Sequence, residues 1–204
     1  MALLATLGYR TVTLAAWGEW IRWRRPIPFR PIVLTFDDGY RSVHDLAAPV
    51  LERHGFGATV FLVSREIGGT NRWDADEVSL PLLGRSEIGA LKAAGHDFQS
   101  HTATHARLTA LSREAALDEL RRSREELAQL LGAGVDTICY PYAAHSAEVE
   151  GLAREAGYRF GVTIRRRLNR PGSDLMQLRR IAVTPSTSPA RLAWDLLRLR
   201  VHGD

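Results

Sequence analysis

Two adjacent carboxylates, Asp37 and Asp38, stand where an apolar run from Pro31 to Phe36 breaks into Gly39. Asp and Gly are ordinary turn residues, so Thr35-Phe36-Asp37-Asp38-Gly39 taken alone is equally an acidic turn. Farther along, His101-Thr102-Ala103-Thr104-His105 sets two imidazoles four residues apart. On one helical turn such residues share a face and both rings could reach one ion, although paired histidines also occur as surface accidents. With an aspartate at a neighbouring strand end they make two histidines and one carboxylate with open coordination positions, the set a catalytic divalent metal needs. A third cluster, Tyr140-Pro141-Tyr142, carries a proline that ends sheet pairing and exposes the next backbone N–H, or else is a core aromatic pair.

Elements must bring these clusters together. Runs rich in Val, Ile and Phe predict strands at Pro31 to Phe36, Ala58 to Val63, His96 to His101, Asp136 to Pro141, Tyr158 to Ile164 and Arg179 to Val183, with a weaker one at Tyr9 to Leu14. Helical periodicity marks Arg113 to Leu131, with Ser112 as N-cap, five leucines on one face, charged residues mostly toward water, and Gly132 beyond the end. Further helices are expected at Asp45 to His54, Ser86 to Ala94, Ser146 to Ala156 and Pro189 to Arg200. Ile67 to Gly84 reads as a long excursion that could border a site.

Alternation of apolar strands with helices implies a parallel sheet, and six or seven units imply a complete or incomplete barrel rather than an open doubly wound sheet. No Gly-x-Gly-x-x-Gly turn follows the first strand, which weakens a dinucleotide reading. In a parallel barrel, catalytic groups gather at the carboxyl ends of the strands, where all three clusters fall.

Length and composition bound the rest. With 204 residues, 45% hydrophobic and 25% charged, and no linker, one folded domain over 1–204 is expected. Lys92 is the only lysine, and the net charge of +4 is spread along the chain without aromatic and basic interleaving, so no nucleic-acid partner is expected. The single Cys139 excludes an internal disulfide and a cysteine-rich zinc site. No run of 18 apolar residues predicts a membrane span. Met1 to Tyr9 has no basic residue ahead of its apolar run, and Arg22, Arg24 and Arg25 come too late for a secretory signal, which reads as cytoplasmic.

The three motifs, in this order, resemble those of the polysaccharide deacetylase family, the NodB-like carbohydrate esterases of family 4, and most closely its Tyr-Pro-Tyr branch. The resemblance covers roughly 31 to 183, including Gly95-His96 and Arg180-Ile181. It implies a distorted (β/α) barrel of about seven parallel strands and metal-dependent removal of N-acetyl groups from amino sugars. By position it implies Asp38, His101 and His105 as ligands of a divalent metal, usually zinc. Asp37 would be the general base and the Tyr142 backbone N–H part of the oxyanion hole. An N-acetylated glycan is then the partner, and Tyr40, Trp73 and Tyr142 could stack on sugar faces, though aromatics also serve as core.

Two departures stand out. Cys139 occupies a place where many members carry an arginine that orients the base, a role Arg180 could assume, and Ala143 replaces a usual glycine. The family's histidine acid is also missing: no Leu-x-His motif follows Arg180, Val201-His202-Gly203-Asp204 reads as a solvated tail, and no histidine precedes His44. The expectation is that the chain as given lacks its first strand and its general acid, with His145 as the fallback. Other readings are a hydrolase of non-sugar amides or imides and a glycan-binding module without turnover. A non-heme iron oxygenase is disfavoured by ligand order.

Overall fold

The computed structural model describes residues 1–23, 26–169 and 172–202, so Arg24, Arg25, Gly203 and Asp204 of the expectations above lie outside the described residues. Seven short strands are described: β1 (Arg10–Thr11), β2 (Pro31–Ile32), β3 (Thr35–Phe36), β4 (Thr59–Leu62), β5 (Asp97–Ser100), β6 (Thr137–Cys139) and β7 (Phe160–Val162). All pair in parallel, β1 with β2 and the rest in the order β3-β4-β5-β6-β7. Because β2 and β3 belong to one extended stretch, β1 flanks its start and β4 its end, giving the curled sheet of a distorted (β/α) barrel. The expected single strand Pro31 to Phe36 is thus divided by a change of neighbour.

The helices are α1 (Ala2–Thr6), α2 (Leu14–Trp23), α3 (Ala48–Glu52), α4 (Arg85–Ala93), α5 (Arg113–Leu131), α6 (Ala147–Glu155) and α7 (Pro189–His202). The ends of α5 follow the sequence: Ser112 Oγ accepts the Ala115 N–H at 3.3 Å, and Gly132 takes a left-handed φ of 59°. The helix expected from Asp45 is corrected to a π turn, Val43–Ala47, followed by α3. Pro49 has no N–H to close an α turn onto Asp45, and the Ala48 N–H reaches back to the Val43 carbonyl instead.

Two strand expectations also need correction. Arg179 to Val183 forms no strand: Leu178 makes an isolated bridge to Val162, and the Arg180 N–H then turns to the Arg165 carbonyl. At Tyr9 to Leu14 only Arg10 and Thr11 pair, since Leu14 already starts α2.

Every residue of β4 is buried, as a strand covered on both faces requires. Val60 and Leu62 join a core with Leu120 and Leu127 of α5 and Leu152 of α6. Phe61 points the other way, into a cluster with Leu14, Cys139, Phe160, Val162 and Leu178. Gly161 lies where this wall is tightest, because a Cβ there would come within 2.3 Å of the Tyr140 hydroxyl and 2.4 Å of the Met176 carbonyl.

Candidate active site

The carboxyl ends of β3, β5 and β6 deliver the three sequence clusters to one place. Asp38 follows β3 with φ of 69°, and Gly39 completes the turn at φ of 75°, where a Cβ would meet Leu62 Cδ2 at 2.7 Å. The two histidines converge, but not on a helical turn as expected: Thr102 and His105 both take left-handed φ values, 67° and 63°, and the segment is a loop. Tyr142 and Ala143 after β6 add two more positive φ values, 55° and 52°. Non-glycine residues in this region cost of order 1–3 kcal/mol each and persist only where the surroundings over-determine them.

Asp38 Oδ1 lies 3.2 Å from His101 Nε2 and 3.3 Å from His105 Nε2. His101 Nδ1 lies 2.7 Å from the Cys139 carbonyl, which can only accept, so Nδ1 carries a proton and donates to it, leaving Nε2 to face Asp38. Both imidazoles are buried. Burial works to raise the Asp38 pKa, yet the hydrogen bonds from the two histidines outweigh it and hold the carboxyl well below the carboxylate range.

Asp37 points to a different partner. Arg180 grips it bidentately, Nη1 to Oδ1 at 2.6 Å and Nη2 to Oδ2 at 2.9 Å. The guanidinium is fixed by further bonds from Nε to the Thr163 carbonyl at 3.0 Å and from Nη1 to Thr35 Oγ1 at 3.1 Å, with Nη2 3.3 Å from Cys139 Sγ. Burial would raise the Asp37 pKa, but Arg180 reverses the shift and keeps the carboxylate ionised.

Aromatic side chains close around His105. Trp73, from the 67–84 excursion, stacks on it at 4.6 Å between ring centroids, Tyr142 meets it edge-on at 4.7 Å, and Arg107 lies 4.4 Å from the centre of the Tyr142 ring. The excursion is stitched to the aspartate turn by a bridge between Tyr40 and Leu82 and by the Leu83 N–H on the Gly39 carbonyl. Burial, with the negative charges of Asp38 and Asp74, pushes the Tyr40 phenol up to about 12. His145 is the sequence candidate with another attachment: it stacks on Tyr140, and its Nδ1 lies 2.9 Å from Glu150 Oε1 of α6.

Two groups among the described residues could hold a metal ion, Asp38 with His101 and His105, and Asp37 with His101 and Cys139. The first fits. Zinc bonds of about 2.0–2.1 Å at tetrahedral angles separate neighbouring donors by about 3.4 Å, close to the spacings around Asp38 Oδ1. The second does not, because the Arg180 guanidinium already occupies both Asp37 oxygens and touches Cys139.

Sequence reasoning passed over Arg107, Asp74 and the α5 residues Glu119, Ser123 and Glu126. One usable signal was Ser123, a polar residue between Leu120 and Leu127 on the apolar face of α5 and fully buried.

The curled parallel barrel thus carries at its carboxyl end a His-Asp-His cluster that could hold a metal ion, beside an arginine-clamped aspartate. Residues 24–161 match the sequence model of the polysaccharide deacetylase family, and the chain belongs to that family. It is 25% identical over 181 residues to the putative polysaccharide deacetylase YxkH of Bacillus subtilis, covering 89% of this chain and 61% of that protein. It is also 25% identical over 177 residues to the poly-beta-1,6-N-acetyl-D-glucosamine N-deacetylase of Staphylococcus epidermidis, covering 81% and 60%. The chain thus spans about three fifths of the length of these relatives. Among solved structures, the Streptococcus pyogenes deacetylase PplD, solved with acetate, superposes with a TM-score of 0.83 at 22% identity, covering 95% of this chain and 82% of that one. No helix of the described residues is long and apolar enough to cross a membrane.

Proposed function

We propose that the chain is a metal-dependent hydrolase that removes N-acetyl groups from an amino-sugar oligosaccharide or polysaccharide. One observation carries the reading: a His-Asp-His donor set lies next to a second aspartate that an arginine holds ionised and oriented. Family membership and the poly-N-acetylglucosamine deacetylase among the relatives support the same substrate class.

In this reading Asp38 Oδ1, His101 Nε2 and His105 Nε2 hold a divalent cation, zinc by donor type. When bound, the ion supplies Lewis acidity, acidifying water and polarising the acetyl carbonyl. Asp37 is the base and takes the proton from the attacking water on a carboxylate oxygen, while Arg180 fixes the direction of that oxygen. The Tyr142 backbone N–H donates to the oxygen that gains charge as the carbonyl becomes tetrahedral. The exposed Tyr142 ring, Trp73 and Tyr40 form the wall against which a sugar packs. His145, the fallback acid, is tied through Nδ1 to Glu150 and stacked on Tyr140, and no role in the reaction is assigned to it.

The test is acetate release from a panel of N-acetylated sugars and glucosamine oligomers, with zinc, cobalt and EDTA arms. Acetate formation that EDTA abolishes and zinc or cobalt restores is expected. Glycan binding without acetate release would overturn the hydrolase reading, and release only from non-sugar amides would overturn the substrate class.

A further inference from the structure

Helix α5 carries a polar stripe at i, i+4 and i+7: Glu119 bonds the loop that bears the histidines directly, and Ser123 and Glu126 reach it through Ser100 and Ser64. Glu119 Oε2 accepts the N–H groups of Ala103 at 3.1 Å and Thr104 at 3.0 Å, and its Oε1 accepts the Thr104 hydroxyl at 3.0 Å. Ser123 Oγ lies 2.7 Å from Ser100 Oγ, which accepts the Thr102 N–H at 3.2 Å. Glu126 Oε2 accepts the Ser64 hydroxyl at 2.5 Å, and the Ser64 N–H donates to the Thr102 carbonyl at 3.2 Å.

The loop needs such anchoring. Three residues separate the histidines, and reversing the chain between them puts Thr102 and His105 in a backbone region that favours glycine. A carboxylate that accepts two adjacent N–H groups through one oxygen fixes the orientation of both peptide planes, and charge makes these bonds stronger than neutral ones.

We propose that Glu119 is a positioning residue for the metal-binding loop, setting the distance between His101 Nε2 and His105 Nε2 around Asp38 by clamping the peptide N–H groups between them. The inference rests on the metal reading above. Glu119 touches neither histidine and acts through the Ala103 and Thr104 N–H groups and the Thr104 hydroxyl that lie between them.

Zinc titration of the full chain against a competing chelator, with the melting temperature recorded in parallel, tests it. Glu119→Ala is expected to weaken zinc binding about 10- to 100-fold. Glu119→Gln keeps an amide oxygen for the two N–H groups and should restore affinity to within about threefold of wild type. Thr104→Val, which removes one neutral bond and keeps the shape, should lose about two- to fivefold and serves if Glu119→Ala does not fold. Asp118→Ala, on the exposed side of the same helix, should change nothing. A folded Glu119→Ala protein with wild-type zinc affinity, or with only a lowered melting temperature, would overturn the clamp, as would unchanged affinity in Thr104→Val. A wild-type chain that takes up no zinc would instead overturn the metal reading on which the clamp rests.

Discussion

At the amino ends of the strands, Thr59, Asp97 and Gln99 form a closed network. Thr59 Oγ1 donates to Asp97 Oδ2 at 3.0 Å and Gln99 Nε2 to Asp97 Oδ1 at 3.1 Å, while Gln99 Oε1 accepts the N–H groups of Asp136 and Thr137. The network also caps α2 from outside, since the Leu14 and Ala15 N–H groups end on Thr59 Oγ1 and Asp97 Oδ2. At the carboxyl ends the treatment of polar groups is opposite. Asp38, Thr102, His105, Tyr142 and Ala143 all hold positive φ, and Thr102 Oγ1, His105 Nδ1 and Trp73 Nε1 are buried without a partner. Apart from His96 Nε2, which is also buried without a partner, the first end spends its polar groups on satisfying the chain and the second on holding side chains in fixed, costly positions. This is the division expected between a stabilising face and a functional one.

If that division is right, substitutions at the two ends should separate activity from stability. The largest effect belongs to Asp37→Asn, expected to lower acetate release at least about a hundredfold while zinc content stays at the wild-type level. Loss of zinc along with turnover would break the assignment of separate tasks to Asp37 and Asp38. Arg180→Ala should follow, with turnover down about 10- to 100-fold and metal retained. Arg180→Lys should recover little, because an ammonium cannot grip both carboxylate oxygens in the same plane.

At the other end, Asp97→Ala leaves the Thr59 hydroxyl, the Gln99 amide and an α2 N–H without their acceptor. A loss of about 1–3 kcal/mol in urea unfolding is expected, with turnover per bound zinc unchanged well below the melting temperature. A fall in turnover at full zinc occupancy would show that the ends are not independent. The smallest effect concerns His96, whose Nδ1 accepts the Ala58 N–H at 3.2 Å and whose burial pushes its pKa below the usual value of 6.5. The unfolded chain then binds a proton that the folded chain does not, so this contribution to stability is complete above pH 6.5 and declines as pH falls below it. His96→Asn should flatten that part of the decline, measured as urea midpoints at pH 7 and pH 5.

Much of the frame was legible from the sequence because apolar runs and helix punctuation are local. Ser112 and Gly132 bracket α5 as expected, and the strand cores at Thr59–Leu62 and Asp97–Ser100 fall inside the predicted runs. The motifs could be placed at strand ends for the same reason. What was not local was missed or came only through the family resemblance. The strand expected at Arg179 gives way because the backbone there turns to Arg165, whereas the reach of Arg180 to Asp37, 143 residues away in sequence, was expected from the family pattern and from no local signal. The α5 charges read as water-facing, yet Glu119 and Glu126 end on loops more than ten residues distant, which helical periodicity alone does not reveal. The histidine spacing suggested a helical turn, whereas hydrogen bonds from Ser64, Arg65 and Glu119, together with the neighbouring Ser100, support a loop with two left-handed residues.

Anomalous diffraction at the zinc edge, from crystals of the full chain grown with one equivalent of zinc, tests the central claim most directly. The account predicts a peak about 2.0–2.2 Å from an Asp38 carboxylate oxygen and the Nε2 atoms of His101 and His105, with Asp37 still paired to Arg180. A strong zinc peak elsewhere with none at this point, or one between Asp37, His101 and Cys139 with Arg180 displaced, would contradict it.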